Sequence, residues 1–188
     1  MTEYSTNLAP IAINNASPGA KKVLDKALLQ VGFIPNMYSN MANIPGLLDT
    51  YLTGYSAFRE QSEFSSAEQE IVFLTISREN ECHYCVAAHS MVADTMSDVP
   101  TAITNAIRTG NDINEPKLAV LHNFTHHMLA TQGKPCDDNV KLFLDAGYNE
   151  RQVLAIILAI AVKTLSNYSN HIFDTELDAM LEGRSWHK

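Results

Sequence analysis

Apolar residues recur every three or four positions through nearly all of this 188-residue chain, and that spacing admits little besides helices. Val23, Leu24, Ala27, Leu28 and Val31 form one stripe, opened by Ser17-Pro18 and closed by Gly32. Leu47, Leu48, Tyr51, Leu52 and Tyr55 form another over residues 45–60, led by Pro45. Ser65-Ser66-Ala67-Glu68-Gln69 is a capping-box signature and predicts a helix over 67–77. Arg78-Glu79-Asn80-Glu81 interrupts the period, and a new helix is expected over 82–96.

Downstream, Asp98-Val99-Pro100 opens a short helix closed by Gly110. Asn114-Glu115-Pro116 opens one ending at Gly133, with Leu118, Leu121, Phe124, Met128 and Leu129 inward. Another is expected over 139–146, a long one from Asn149-Glu150-Arg151-Gln152 to His171, and a last one over 174–181. All seven prolines lie outside the helix interiors. There is no long alternating run and no Asn-Gly or Asp-Gly hairpin signal to compete with this reading. The expected fold is all-α, a single-domain helical bundle over residues 1–188 with its motif core at 66–96.

A faint internal repeat accompanies the pattern. The cap at 66–70 leads an apolar segment ending at His89, and the cap at 149–153 leads one ending at His171, in register to within one residue. The second copy carries Asn167 where the first has Cys85 and Thr164 where it has Cys82.

Composition narrows the function classes. Hydrophobic residues make up 46% and charged residues 18%, a globular composition poor in charge, which predicts surface covered in a homo-oligomer. A net charge of −8 argues against nucleic acid and anionic membranes as partners. The N-terminus lacks the basic and apolar regions of a signal peptide. The apolar run 153–162 is interrupted by Lys163, short of the roughly 20 residues that span a bilayer. A cytoplasmic protein is expected. Three cysteines are an odd count, unlike a secreted disulfide framework, and a Cys-x-x-Cys pair in a reducing compartment points to catalysis or metal.

That pair sits in Cys82-His83-Tyr84-Cys85, with His89 four residues further on. On a helix, Cys82, Cys85 and His89 share a face. A free thiol ionises near pH 8.5, and two devices would lower that value. The helix start lies nearer Cys82, whereas His89 can take the Cys85 proton directly or through a water. A directed base outweighs a frayed helix end, so Cys85 is expected to be the thiolate. Glu70, on the preceding helix, would orient His89 if the two helices pack antiparallel.

Glu70, followed after eleven residues by Cys82-His83-Tyr84-Cys85-x-x-x-His89, resembles the alkylhydroperoxidase D and carboxymuconolactone decarboxylase-like family. Gly32-Phe33-Ile34-Pro35-Asn36 and Asn167-Tyr168-Ser169-Asn170-His171 resemble it more loosely. The resemblance implies an all-helical homo-oligomer, a trimer or hexamer, that reduces hydroperoxides through its cysteine pair. It implies that Cys85 attacks the peroxide, that Cys82 closes the disulfide, and that Glu70 and His89 relay protons. An external thiol or dithiol restores the pair, and no cofactor is needed. One position departs: peroxidase members often carry a histidine directly before the second cysteine, where this chain has Tyr84. Its phenol can donate a hydrogen bond but is a poor base at neutral pH.

Other readings stand beside this one. The same fold could act as a decarboxylase on a small lactone or acid, or as a non-enzymatic redox sensor. The two thiols could be small buried hydrophobes, or join His89 in a zinc site that lacks a fourth ligand. His122 and His126 are expected to be partly buried helix residues. Cys136 is expected to be a bystander whose pKa is raised by the two acids after it.

Overall fold

The computed structural model describes residues 4–188. Nine α-helices and two short 3-10 turns make up its regular structure, and the described residues contain no strand. The helices are α1 (Pro18–Val31), α2 (Asn36–Met41), α3 (Pro45–Gln61), α4 (Ser66–Glu79), α5 (His83–Met96), α6 (Thr101–Thr109), α7 (Pro116–Ala130), α8 (Asp137–Asp145) and α9 (Glu150–Phe173).

Local chemistry explains most of the boundaries. Ser17 accepts the Ala20 N–H before Pro18, and Gly32 leaves α1 at φ 85° in the left-handed region that glycine adopts without strain. Ser65 with Glu68 and Asn149 with Gln152 form complete capping boxes at α4 and α9. Helix α4 ends in a Schellman motif. Glu81 takes φ 57°, its N–H reaches the Arg78 carbonyl at 3.0 Å, and the Cys82 N–H reaches the Ser77 carbonyl at 3.0 Å.

Helix α4 is the centre of the molecule. It is buried continuously from residue 68 to 77 and packs against α5, α6, α7 and α9. Such a helix has no solvent face, so its polar residues must find partners inside. Helix α9 crosses the bundle against α2, α3, α4, α5 and α7. At Gly54 a Cβ would come within 2.8 Å of Val162, so α3 and α9 approach more closely than a side chain there would allow. By length and composition α9 would suffice to cross a bilayer, but its buried positions include Gln152, Lys163, Ser166, Asn167 and Asn170.

Two expectations need correction, and one helix is an addition. The helix expected over 174–181 is absent: Asp174 caps α9 at φ 45°, and only a 3-10 turn, Ala179–Arg184, follows. Helix α2 was not foreseen; it is too short to show a period. Leu118 and Leu129 point inward as expected, partly buried and packed against the core that contains Leu121, Phe124 and Met128. The internal repeat does not extend to architecture, because the first copy is two helices with a break and the second is one unbroken helix.

Candidate active site

The break after α4 places the thiols. Cys82 is the residue just before α5, and its sulfur accepts the Cys85 N–H at 3.4 Å, doing the work of a helix cap. Cys85 lies in the first turn, and His89 follows one turn later. Helices α4 and α5 pack together, bringing Glu70 to His89: Glu70 Oε2 lies 2.8 Å from His89 Nδ1. Glu70 is wholly buried, and its other oxygen accepts from Arg59 of α3. Arg59 also donates to Tyr55 Oη at 2.6 Å and to Gln69 Oε1 at 3.0 Å.

The remaining nitrogen of His89 faces Lys163 of α9, with Nζ to Nε2 at 2.9 Å. A lysine thus stands where spacing alone suggested the thiol or a water. Lys163 is wholly buried. The arrangement is a line of groups: Arg59, Glu70, His89, Lys163 and Cys85. Phe73 underlies it, with Arg59 at 4.9 Å and Lys163 at 5.6 Å from the ring centroid and the His89 ring at 4.9 Å.

Charge is distributed accordingly. Burial and the Lys163 ammonium lower the His89 pKa, more than Glu70 raises it, so the imidazole is neutral at pH 7. With Nε2 accepting from the ammonium, the ring proton is assigned to Nδ1, where it donates to Glu70. Burial raises the Cys85 pKa, yet the hydrogen bond from the Cys82 thiol and the Lys163 ammonium, through its charge and its own hydrogen bond, hold it well below the ordinary thiol value. Burial and the negative charge of Cys85 push Cys82 well up. Asn170 of α9 donates to both sulfurs, at 3.3 Å to Cys85 and 3.6 Å to Cys82.

A cavity of about 850 Å³ reaches this line. Its wall includes Tyr84, Cys85, His89, Lys163 and Arg59, and its rim includes Met96 and Met180, which are 73% and 55% exposed. Cys85, itself 2% exposed, therefore has a path to solvent. Cys82 does not line the cavity and sits behind Cys85. Tyr84 Oη donates to Asp178, whose Oδ1 accepts the Asn36 N–H at 3.1 Å, tying the segment after α9 across one side of the cavity. Burial and the neighbouring Asp178 carboxylate raise the Tyr84 pKa, so the phenol stays protonated.

The other candidates lie elsewhere. His122 Nδ1 is 2.7 Å from Thr75 Oγ1, and His126 Nε2 is 3.3 Å from Glu79. Among the described residues no three His, Cys, Asp or Glu side chains converge as a metal-binding set. Cys136 is exposed, and its pKa is lowered, not raised. It stands at the start of α8, where the backbone N–H and side chain of Asn139 stabilise the thiolate more than Asp138 opposes it.

No family model and no curated protein matches the sequence. Solved structures do. The alkylhydroperoxidase AhpD core, an uncharacterized peroxidase-related protein from Ralstonia eutropha JMP134, superposes with a TM-score of 0.81 at 16% identity, covering 99% of this chain and 100% of that one. An uncharacterized peroxidase-related protein from Silicibacter sp. TM1040 gives 0.75 at 17% identity, covering 96% and 97%. A cysteine-to-alanine variant of the debrominase Bmp8, in complex with 2,3,4-tribromopyrrole, gives 0.74 at 16%, covering 97% of each chain. The chain has the alkylhydroperoxidase D-like fold.

Within that alkylhydroperoxidase D-like fold, sequence reasoning brought Glu70, Cys82, Cys85 and His89 together but missed Arg59, Lys163 and Asn170. One signal pointed to Lys163. It is a cation set in an apolar helix, and a lysine is seldom fully buried without a partner. Arg59 carried no such signal, because it lies near the end of α3, where a cation suits the helix dipole.

Proposed function

We propose that the protein is a thiol-dependent peroxidase, reducing hydroperoxides through a Cys82–Cys85 pair that cycles between dithiol and disulfide. The observation that carries this reading is the placement of the two sulfurs. Cys85 lies on the cavity wall in an environment that favours the thiolate, and Cys82 lies directly behind it, hydrogen-bonded to it. Cys85 attacks the peroxide and becomes a sulfenic acid; Cys82 then closes the disulfide and water leaves. Glu70 holds the neutral His89 in one tautomer, and an external thiol or dithiol restores the pair.

The wall beyond the thiol is apolar and carries Phe33, Met91, Val92, Met96 and Met180. It suits an organic hydroperoxide better than hydrogen peroxide, since flexible methionines adapt to varied apolar shapes. The proposal includes a homo-oligomer, supported by Leu154, Ile157, Tyr168 and Ile172, which leave one face of α9 apolar and exposed.

The test is hydroperoxide consumption with a dithiol donor. Wild type is expected to turn over steadily, and Cys85→Ser to lose at least about 1,000-fold, because the step depends on a sulfur nucleophile. Equal rates overturn the reading. Bromide release from 2,3,4-tribromopyrrole faster than peroxide consumption would reassign the substrate.

A further inference from the structure

From the geometry we infer that Lys163 is a catalytic residue of this site, the acid that protonates the oxygen leaving the peroxide. This deepens the peroxidase reading and rests on it. Lys163 and Cys85 line the same cavity, so a hydroperoxide whose distal oxygen meets the sulfur lies beside the ammonium. The amine cannot drift away, since it is wholly buried and its Nζ is tied to His89 Nε2 at 2.9 Å. His89 in turn is fixed by Glu70 at 2.8 Å, and Glu70 by Arg59. The carboxylate and imidazole therefore aim a lysine, and the lysine faces the chemistry. Its charge acts directly on Cys82, Cys85 and His89 of the α5 segment; Arg59, Tyr51 and Tyr55 of α3, Tyr38 of α2 and Tyr84 of α5 line the same cavity, and Glu70 of α4 lies behind His89.

The step balances. The Cys85 thiolate attacks the distal oxygen of ROOH; the S–O bond forms as the O–O bond breaks. Sulfur is oxidised to the sulfenic acid, and the peroxide oxygens are reduced. The departing alkoxide takes one proton from the Lys163 ammonium and leaves as ROH. The neutral amine then takes the Cys82 proton, the Cys82 thiolate attacks the sulfenic sulfur, and the released hydroxide recovers that proton as water. Reduction of the disulfide by an external dithiol returns the Cys85 thiolate, the Cys82 thiol and the ammonium.

Two variants and two readouts test this. Lys163→Met removes the proton and the charge while filling the space; Lys163→Arg keeps the charge on a group that does not release a proton at neutral pH. Iodoacetamide labelling of Cys85 across pH, read by mass spectrometry, needs no peroxide. Lys163→Met is expected to move its half-reactive pH up by about one unit or more and to cut hydroperoxide turnover about 100-fold or more. Lys163→Arg is expected to keep the wild-type labelling profile yet remain slow in turnover. Turnover in Lys163→Met within a few-fold of wild type, or full recovery in Lys163→Arg, overturns the proton-donor role. A wild type without peroxide turnover sinks the peroxidase reading and proton delivery with it. The labelling shift then still decides, on its own, whether Lys163 sets the charge on Cys85.

Discussion

Helices α4 and α9 both start in a capping box and both bury polar side chains, yet α4 stops after 14 residues while α9 continues for 24. The stop in α4 is the left-handed turn at Glu81, and it creates a fresh helix start at which Cys82 and Cys85 sit with free sulfur. The uninterrupted α9 makes no such start. It lines up Lys163 and Asn170, two turns apart on one face, opposite the sulfurs. One arm thus presents the reactive groups and the other holds them, and the two similar openings in sequence lead to complementary duties.

The sharpest way to break this contrast is at Glu70, where the broken arm carries its only carboxylate in the line. Glu70→Gln leaves Arg59 largely buried without its counter-charge and is expected to cost about 3–5 kcal/mol of unfolding free energy. Urea titration reads it; a loss under about 1 kcal/mol would show that the line is not held by charge.

Acid probes the same arm more gently. Burial raises the Glu70 pKa, but His89 and Arg59 more than offset it, and burial with Lys163 lowers that of His89. Both groups bind protons more readily in the unfolded chain, so stability rises with pH. Their contributions are complete above the unfolded values, about 6.5 for histidine and 4.3 for glutamate. Each is lost as pH falls through the lower folded value. Urea midpoints should decline in that order as pH falls from about 7.5 to about 3; a flat profile between about 7 and 5 would contradict the assignment of a neutral, Glu70-bound imidazole.

The mildest test compares the caps themselves. Ser65→Ala and Asn149→Ala should each cost about 1 kcal/mol. Turnover should fall further with Ser65→Ala, because Glu70 lies in the second turn of α4, whereas Lys163 lies deep in α9. Equal effects on turnover would mean that both arms support the site alike.

What was legible in the chain follows the range of the interactions involved. Helix ends marked by Ser17-Pro18, Gly32 and the two capping boxes are local events, and they were placed to within a few residues. The pairing of Glu70 with His89 needed only two neighbouring helices to pack side by side. Lys163 and Asn170 reach the sulfurs from the far end of the chain, and no local pattern encodes that approach. The segment after α9 misled because Asp174 turns left-handed and releases the chain to reach Tyr84 through Asp178, a contact between residues far apart in sequence.

The line from Arg59 to Cys85 also constrains how such a protein can change over generations. Its two cations and two anions cancel through a neutral ring, and buried side chains tolerate such charges only as a set. Losing one alone strands an opposite charge, so viable descendants must exchange these positions in matched couples or leave them untouched.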